Sequence, residues 1–315
     1  MHSSQRILVV GSANADVILH VPRNPVSGES LLVRDRLNGL GGKGSNRAVA
    51  LSRLGADMQF SCKIGRDAPG DILLSAYERE NIAPDLIFYD EQAGTGTAYV
   101  LVEENGNNTI LSYMGANETY TRNDLNKLLS AMPRFGYLSL ELEISLPVVE
   151  ELLSEARARG VHAIVDAGPA RSVPLGLFRG ALVLSPNEVE AAELTGIAIT
   201  SESEARQACV KLYESGCRNV ILKLGAQGAM LYDGGEFIRF PAYRGAGEAV
   251  DTTAAGDCFM AALTFGLSRG MDMHGSIRYA NVAAAISVTR PGAIDALPFR
   301  EEVDRLYARS LEEES

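Results

Sequence analysis

Asp251-Thr252-Thr253-Ala254-Ala255-Gly256-Asp257 is the stretch of this chain whose residue types come nearest to a chemical apparatus. It follows an extended segment ending at Val250 and precedes an apolar helical run over 259–267. Ala254, Ala255 and Gly256 leave backbone N–H groups uncovered at a helix start, where unpaired donors and the positive end of the dipole attract anions. Asp257 would sit beside a bound phosphate, placed to take a proton from an attacking hydroxyl. The competing reading is an ordinary Asp/Thr cap on a buried helix.

Three more stretches carry polar groups in useful places. Gly39-Leu40-Gly41-Gly42-Lys43-Gly44-Ser45-Asn46 contains a formal G-x-G-x-x-G. Residues 34–38 before it are not the hydrophobic strand a dinucleotide fingerprint needs, and Lys43 lacks the Ser or Thr that follows it in a P-loop. What remains is a flexible Gly-rich lead into a helix, with Lys43 and Asn46 free for ligand contacts. Gly11-Ser12-Ala13-Asn14-Ala15-Asp16 lies just beyond the first strand, where open α/β sheets bind ligands. Asn14 and Asp16 could grip vicinal hydroxyls. Ser185-Pro186-Asn187-Glu188-Val189-Glu190 also follows a strand and opens a helix with acids. Capping is one role; the other is for Asn187 and Glu190 to help hold phosphates and a hydrated Mg²⁺.

The elements that must position these residues alternate. Short apolar runs at 7–10, 58–62, 137–140, 163–165, 181–184 and 220–224 predict strands. Helix-period segments at 45–54, 71–80, 146–159 and 203–215 fall between them. That rhythm predicts an α/β fold with a central, mostly parallel sheet covered by helices on both faces. Two regions break it: 17–33 reads as extended, and β-rich runs at 95–102 and 109–113 flank Glu103-Glu104-Asn105-Gly106, an Asn-Gly hairpin signal. They predict a small antiparallel sheet, a lid from about 12–36 and 95–113 inserted in a single domain spanning 1–315.

The formal net charge of −11 disfavours nucleic acid and anionic membranes as partners. No stretch approaches the roughly 18 apolar residues of a membrane span, and the run at 7–10 is too short for a signal segment. Cys62, Cys209, Cys217 and Cys258 form no C-x-x-C pair, so reduced thiols in a cytoplasmic protein are expected.

Together the four stretches resemble the ribokinase-like carbohydrate kinase family, the phosphofructokinase-B type, and are most similar to its ribokinase branch. The likeness runs from Gly11 to Gly292, with Gly41-Gly42-Lys43-Gly44-x-Asn46 and the 251–257 motif its most specific parts. It implies a kinase using ATP and Mg²⁺ to phosphorylate a primary hydroxyl of a sugar, ribose foremost. Asn14, Asp16, Gly42, Lys43, Asn46 and Glu143 would bind the sugar. Asn187 and Glu190 would face the triphosphate and Mg²⁺, the latter through water. The segment from Lys223 through Gly225 to Gly228 would pass under the nucleotide, with Asn281 near the adenine. Ala254, Ala255 and Gly256 would form the anion hole and Asp257 would be the base. A monovalent cation, K⁺, would be held by Asp251 and Thr253 with carbonyls of Ser287, Arg290 and Gly292. The lids would pair two subunits into a homodimer.

Four places depart from the family pattern. Arg47 stands where an uncharged amide is usual, and Asp166-Ala167-Gly168-Pro169-Ala170 replaces Asn-Pro-Ala-Pro-Ala. Ala296 stands where a hydroxyl is frequent, and Lys223 where Thr is common. The alternatives are a kinase of another acceptor (deoxyribose, a fructose-type sugar, an adenosine-like nucleoside) or a sugar sensor without catalysis. A sensor would need neither Asp257 nor the glycine-rich turn.

Overall fold

The structure, a computed structural model, describes residues 5–104 and 108–313. Its elements begin with β1 (Ile7–Val10), β2 (Asn14–Val21), β3 (Asp35–Gly41), α1 (Lys43–Arg53), β4 (Met58–Gly65), α2 (Ala68–Arg79), β5 (Leu86–Asp90), β6 (Thr97–Glu103) and β7 (Asn108–Tyr113). They continue with α3 (Arg122–Ala131), β8 (Tyr137–Leu140), α4 (Leu146–Arg159), β9 (His162–Asp166), β10 (Val183–Ser185), α5 (Glu188–Thr195) and α6 (Glu202–Glu214). The last are β11 (Val220–Lys223), β12 (Ala229–Tyr232), β13 (Phe237–Phe240), α7 (Ala255–Ser268), α8 (Met273–Ser287) and α9 (Arg300–Glu313).

β1 is Ile-Leu-Val-Val with all four residues buried, the composition of a strand covered on both faces. Ile7 and Val9 enter one hydrophobic cluster with α1, α2, α7 and α8, while Leu8 and Val10 enter another with α3, α4, α5 and α6. The two-residue period of a strand thus divides the core between the two faces. The sheet has nine strands in the order β13-β12-β11-β10-β9-β8-β1-β4-β5. All pairs from β11 to β5 are parallel; β12 is antiparallel to both neighbours. Every strand expected from an apolar run lies in this sheet; β5, β12 and β13 were not among those expectations.

The second sheet has the order β3-β2-β6-β7; β2, β6 and β7 come from the two regions that broke the rhythm, while β3 lies beyond the expected extended segment. It is mixed, not antiparallel as expected: β2–β3 and β6–β7 are antiparallel, but β2–β6 is parallel. The chain leaves for α1, β4, α2 and β5 between β2 and β6, and such a crossover permits the parallel arrangement that a hairpin forbids. The glycine-rich stretch is also less of a loop than expected. β3 runs through Gly39 to Gly41 and α1 starts at Lys43, leaving Gly42 alone between them with φ at 87°. The extended segment expected over 17–33 ends at Val21. The Asn105-Gly106 turn lies outside the described residues, although the strands flanking it pair as a hairpin would.

The start of α1 presses on the end of β1 backbone to backbone. A Cβ on Gly44 would lie 2.5 Å from the Gly11 carbonyl carbon. Gly44→Ala should therefore destabilise the protein by about 1–3 kcal/mol, more than the helix-propensity gain of up to about 1 kcal/mol. Urea denaturation measures this, and an unchanged or raised midpoint would show that the contact yields without cost.

Candidate active site

β11, β10, β9, β8 and β1 are successive neighbours, and their carboxyl ends line one edge, where open α/β sheets bind ligands. In that order the edge presents Lys223, then Asn187 and Glu190, then Asp166, then Glu141 and Glu143, then Ser12 and Asn14. Lys43 and Asn46 from α1 and Asp257 from α7 reach the same place. Asn46 Nδ2 donates to Asp257 Oδ2 at 2.7 Å. Lys43 Nζ lies 3.9 Å from Asp257 Oδ1 and 3.9 Å from Asp166 Oδ2. Lys223 Nζ bonds Asp166 Oδ1 at 2.7 Å and lies 3.8 Å from Glu190 Oε2. Asp257 Oδ1, Asp166 Oδ2 and Asn46 Oδ1 are buried without a hydrogen-bond partner among the described residues.

Burial raises the pKa of Asp257 above the ordinary carboxylate value. Lys43 and Arg47 oppose that, Asp166 adds to it, and the Asn46 bond opposes it again. Burial acts the same way on Asp166, but Lys223, Lys43 and Arg47 outweigh it and hold Asp166 well below the usual carboxylate range. Burial disfavours the charge on Lys43, yet Asp257, Asp166, Glu143 and Glu190 raise its pKa above the ordinary lysine value. Two carboxylates of opposite tendency, separated by the Lys43 ammonium, suit a site that moves a proton.

Ala254 caps α7 with φ at 58° and no side chain caps the helix start; Ala255 N donates back to Thr252 O at 3.2 Å, so the open end rests on the next N–H groups of the first turn. This turn lies on a cleft of about 800 Å³ lined by Ala254, Ala255, Gly256 and Asp257. Lys43, Asn187, Glu190, Lys223, Gly225, Gly228 and Asn281 line it too, so the expected nucleotide-side residues are brought together. Asn187 and Glu190 also form the capping box of α5: Asn187 N donates to Glu190 Oε2 at 2.7 Å, and Glu190 N to Asn187 Oδ1 at 2.8 Å. The capping reading of that motif is thus borne out, and the same two side chains line the cleft. The opposite wall, with Tyr243, Arg244 and Glu248, was not expected. Asn281 pins it by donating to Phe240 O and Pro241 O at 3.3 and 3.1 Å.

The other expected ligands gather where the two sheets meet. Asp16 Oδ1 accepts from Ala98 N at 3.2 Å, and a Cβ on Gly41 would fall 2.1 Å from its Oδ2. Burial, with help from the Glu143 charge and against the Ala98 bond, pushes Asp16 up to about 7. Glu143 accepts from Ser12 Oγ at 2.5 Å and Lys43 N at 3.3 Å. Asn14 Oδ1 accepts from Asn117 Nδ2 at 2.9 Å. Gly42 leaves no room for a side chain, whose Cβ would lie 2.8 Å from Ser12 O. Glu141, Asn117 and the position of Arg47 were not foreseen. Glu141 is fully buried, accepts from Ser12 N at 2.6 Å, and is pushed up to about 8 by burial and by Glu143. The signal was present: Glu141 is an acid directly after a strand. Arg47, fully buried, donates to Lys43 O at 3.2 Å and Leu140 O at 2.9 Å, behind the site and not in it.

Asp251 accepts from Thr253 N at 2.9 Å and Thr253 Oγ1 at 2.6 Å on one oxygen, and from Gly292 N at 2.8 Å on the other. Asp251 thus meets the segment that carries Arg290 and Gly292, which follows α8 and its last residue Ser287. The Arg290 guanidinium turns to Glu302, and Ala296 is buried.

A helix start open to anions, facing buried carboxylates at the carboxyl edge of a parallel sheet, defines a phosphotransferase of the α/β class. Residues 4–300 match the pfkB family of carbohydrate kinases, and the chain belongs to that family; it is a sugar kinase. It is 32% identical over 305 residues to a ribokinase of Staphylococcus aureus, covering 96% of this chain and all of the relative. It is 28% identical to a deoxyribokinase of Salmonella typhi, covering 94% and 96% of the two chains. The solved structure of Arabidopsis thaliana ribokinase complexed with ribose and ATP superposes with a TM-score of 0.89 at 31% identity, covering 96% of this chain and 99% of that one. The four cysteines are free and buried, and no helix among the described residues is long and apolar enough to cross a membrane.

A raised carboxyl pKa has a consequence for stability. The folded protein holds the Asp257 proton more tightly than the unfolded chain, so ionised Asp257 destabilises the fold above its folded pKa, and this cost fades as pH falls towards the unfolded value. Asp257→Asn should raise the melting temperature at pH 8 and converge with wild type near pH 4. An equal shift at both pH values would contradict this origin.

Proposed function

We propose that this sugar kinase transfers the γ-phosphoryl group of ATP to the primary hydroxyl of ribose, giving ribose 5-phosphate. The observation that carries the reading is the buried Asp257 carboxylate: Asn46 fixes one oxygen, and the other is unpaired beside the open start of α7. On one side lies the cleft for ATP. On the other, Asn14, Asp16, Glu143 and the amide of Asn46 offer a rim of acceptors and donors that suits adjacent sugar hydroxyls. The relatives named ribokinase support ribose.

Phosphoryl transfer needs alignment and charge neutralisation more than covalent help. Asp257 accepts the proton of the hydroxyl, and burial, by raising its pKa, makes it a stronger base than an ordinary carboxylate. The N–H groups of residues 254–256 and the Lys43 ammonium stabilise the charge that gathers on the transferring group. Magnesium accompanying ATP would supply further neutralisation. The Glu190 carboxylate, a hard oxygen donor lining the cleft, fits it through water. The Asp251 carboxylate and backbone oxygens of 287–292 are likewise a hard set suited to K⁺, which would brace the segment leading into α7. The small sheet would act as a lid that keeps water from competing as acceptor. Its two faces carry exposed apolar residues, Tyr99 and Leu111 on one and Leu37 and Ile110 on the other, which suits pairing with a second copy in a homodimer. Buried unpaired cysteines suit the reducing cytoplasm, and the lid reads as an insertion in a single domain.

ADP release assayed over a panel of sugars and nucleosides tests the substrate. Ribose should give the highest kcat/KM. Deoxyribose offers the acidic rim one hydroxyl fewer and should be poorer, while a nucleoside or hexose surpassing ribose would refute the assignment. Asp257→Asn should lower turnover with the preferred sugar roughly 10²–10⁴-fold and leave its KM within a few-fold. Activity close to wild type would remove Asp257 from the mechanism.

Asp16 brings a pH dependence. With its pKa near 7, it is ionised above that value and accepts strong charge-assisted bonds from sugar hydroxyls. Below it the carboxyl is protonated and the bonds weaken, so sugar KM should rise as pH falls through about 7. Asp16→Asn should show a high KM without that inflection. A wild-type KM that is flat between pH 6 and 8 would contradict the role.

A further inference from the structure

Two departures from the family pattern, 57 positions apart in sequence, turn out to be partners: Lys223 Nζ bonds Asp166 Oδ1 at 2.7 Å. Asp166 has no exposed surface, and a carboxylate there needs a cation. Neutralisation alone does not explain where the cation stands. Lys223 lines the cleft, and a Cβ built on Gly256 would lie 3.8 Å from its Nζ. The ammonium is therefore beside the first turn of α7, where the helical N–H groups open. An ammonium has three donors. Asp166 takes one, and Glu190 at 3.8 Å is beyond hydrogen-bond reach, which leaves donors for an anion seated at the helix start.

Asp166 also faces Lys43 through its unpartnered Oδ2. The charges alternate in sign from Asp257 through Lys43, Asp166 and Lys223 to Glu190. Asp166 keeps two like charges in one small volume at different points of the cleft lining, Lys43 3.9 Å from Asp257 and Lys223 beside Gly256.

We propose that the Lys223 side chain, oriented by Asp166, is a direct ligand of the triphosphate at the point of phosphoryl transfer. This deepens the kinase reading and rests on it. The role goes beyond a backbone passing under the nucleotide, because it assigns the ammonium itself to the phosphates.

The test compares wild type, Lys223→Met and the double variant Asp166→Asn/Lys223→Met. The double variant removes the Asp166 carboxylate together with the ammonium that hydrogen-bonds it, so it keeps the test sound where the single variant folds poorly. Calorimetric titration with adenosine, ADP and ATP, each with magnesium, is run beside turnover with the sugar preferred by wild type. Both variants should bind ATP at least about tenfold more weakly, the scale of one charge-assisted contact. Adenosine affinity and sugar KM should stay within a few-fold, and kcat should fall. A double variant with wild-type ATP affinity and kcat would overturn the proposal and leave Lys223 a counter-ion to Asp166. Equal weakening of adenosine and ATP would overturn it as well, since that marks a distorted cleft. A wild type that phosphorylates no sugar would instead refute the kinase reading, while the ATP and adenosine affinities would still decide whether Lys223 touches phosphate.

Discussion

Asp166, Glu190 and Asp257 are each at most 5% exposed and crowd the carboxyl edge of one sheet. Burying a charge costs several kcal/mol unless countercharges and hydrogen bonds offset it. Lys43 and Lys223 stand between these acids, and the fully buried Arg47 lies behind them. The surrounding backbone is shaped to admit this interleaving. A Cβ on Gly168 would lie 2.5 Å from Glu190 Oε1 and 2.8 Å from Lys43 Cε, so glycine lets the lysine and the acid pass. Gly11 and Gly44 let α1 approach closely enough to deliver Lys43 and Asn46.

The same arrangement divides the labour of the site. Sheet order places the β11 and β10 ends beside the cleft, the β8 and β1 ends beside the small sheet, and the β9 end between them. Carboxylate and amide oxygens thus lie on one side, the Lys223 ammonium and the start of α7 on the other, and Asp257 at the boundary. A transfer enzyme needs its two substrates held by different chemistry yet meeting at one point, and parallel strands ending in register supply that geometry without long loops.

Local signals carried much of this. The apolar runs of β1 and β8 and the helical period of α4 give those elements with their observed boundaries, because burial on fixed faces writes a regular pattern. The small residues before Asp257 announce the open start of α7, and Asn187 with Glu190 announces the start of α5. What the sequence withheld is pairing at a distance. Nothing local says that Asn46 meets Asp257 across 211 positions, that Asp166 finds Lys223, or that Arg47 turns inward to Leu140. The parallel contact of β2 with β6 is non-local in the same way. β12 and β13 are short and lie towards one edge of the sheet, so their patterns are weak, and the Tyr243–Arg244 wall of the cleft has no periodicity to read. The resemblance to the kinase family supplied roles for residues that spacing alone left as caps and turns.

The central claim is that the unpaired oxygen of Asp257 takes the proton of the acceptor hydroxyl. A crystal structure with ribose and a non-hydrolysable ATP analogue tests it most directly. The account predicts the primary hydroxyl within about 3.2 Å of Asp257 Oδ1, with Oδ2 still bound by Asn46 and the terminal phosphate at the first turn of α7. A well-ordered ternary complex whose primary hydroxyl points away from Asp257, or whose terminal phosphate avoids the start of α7, would contradict it.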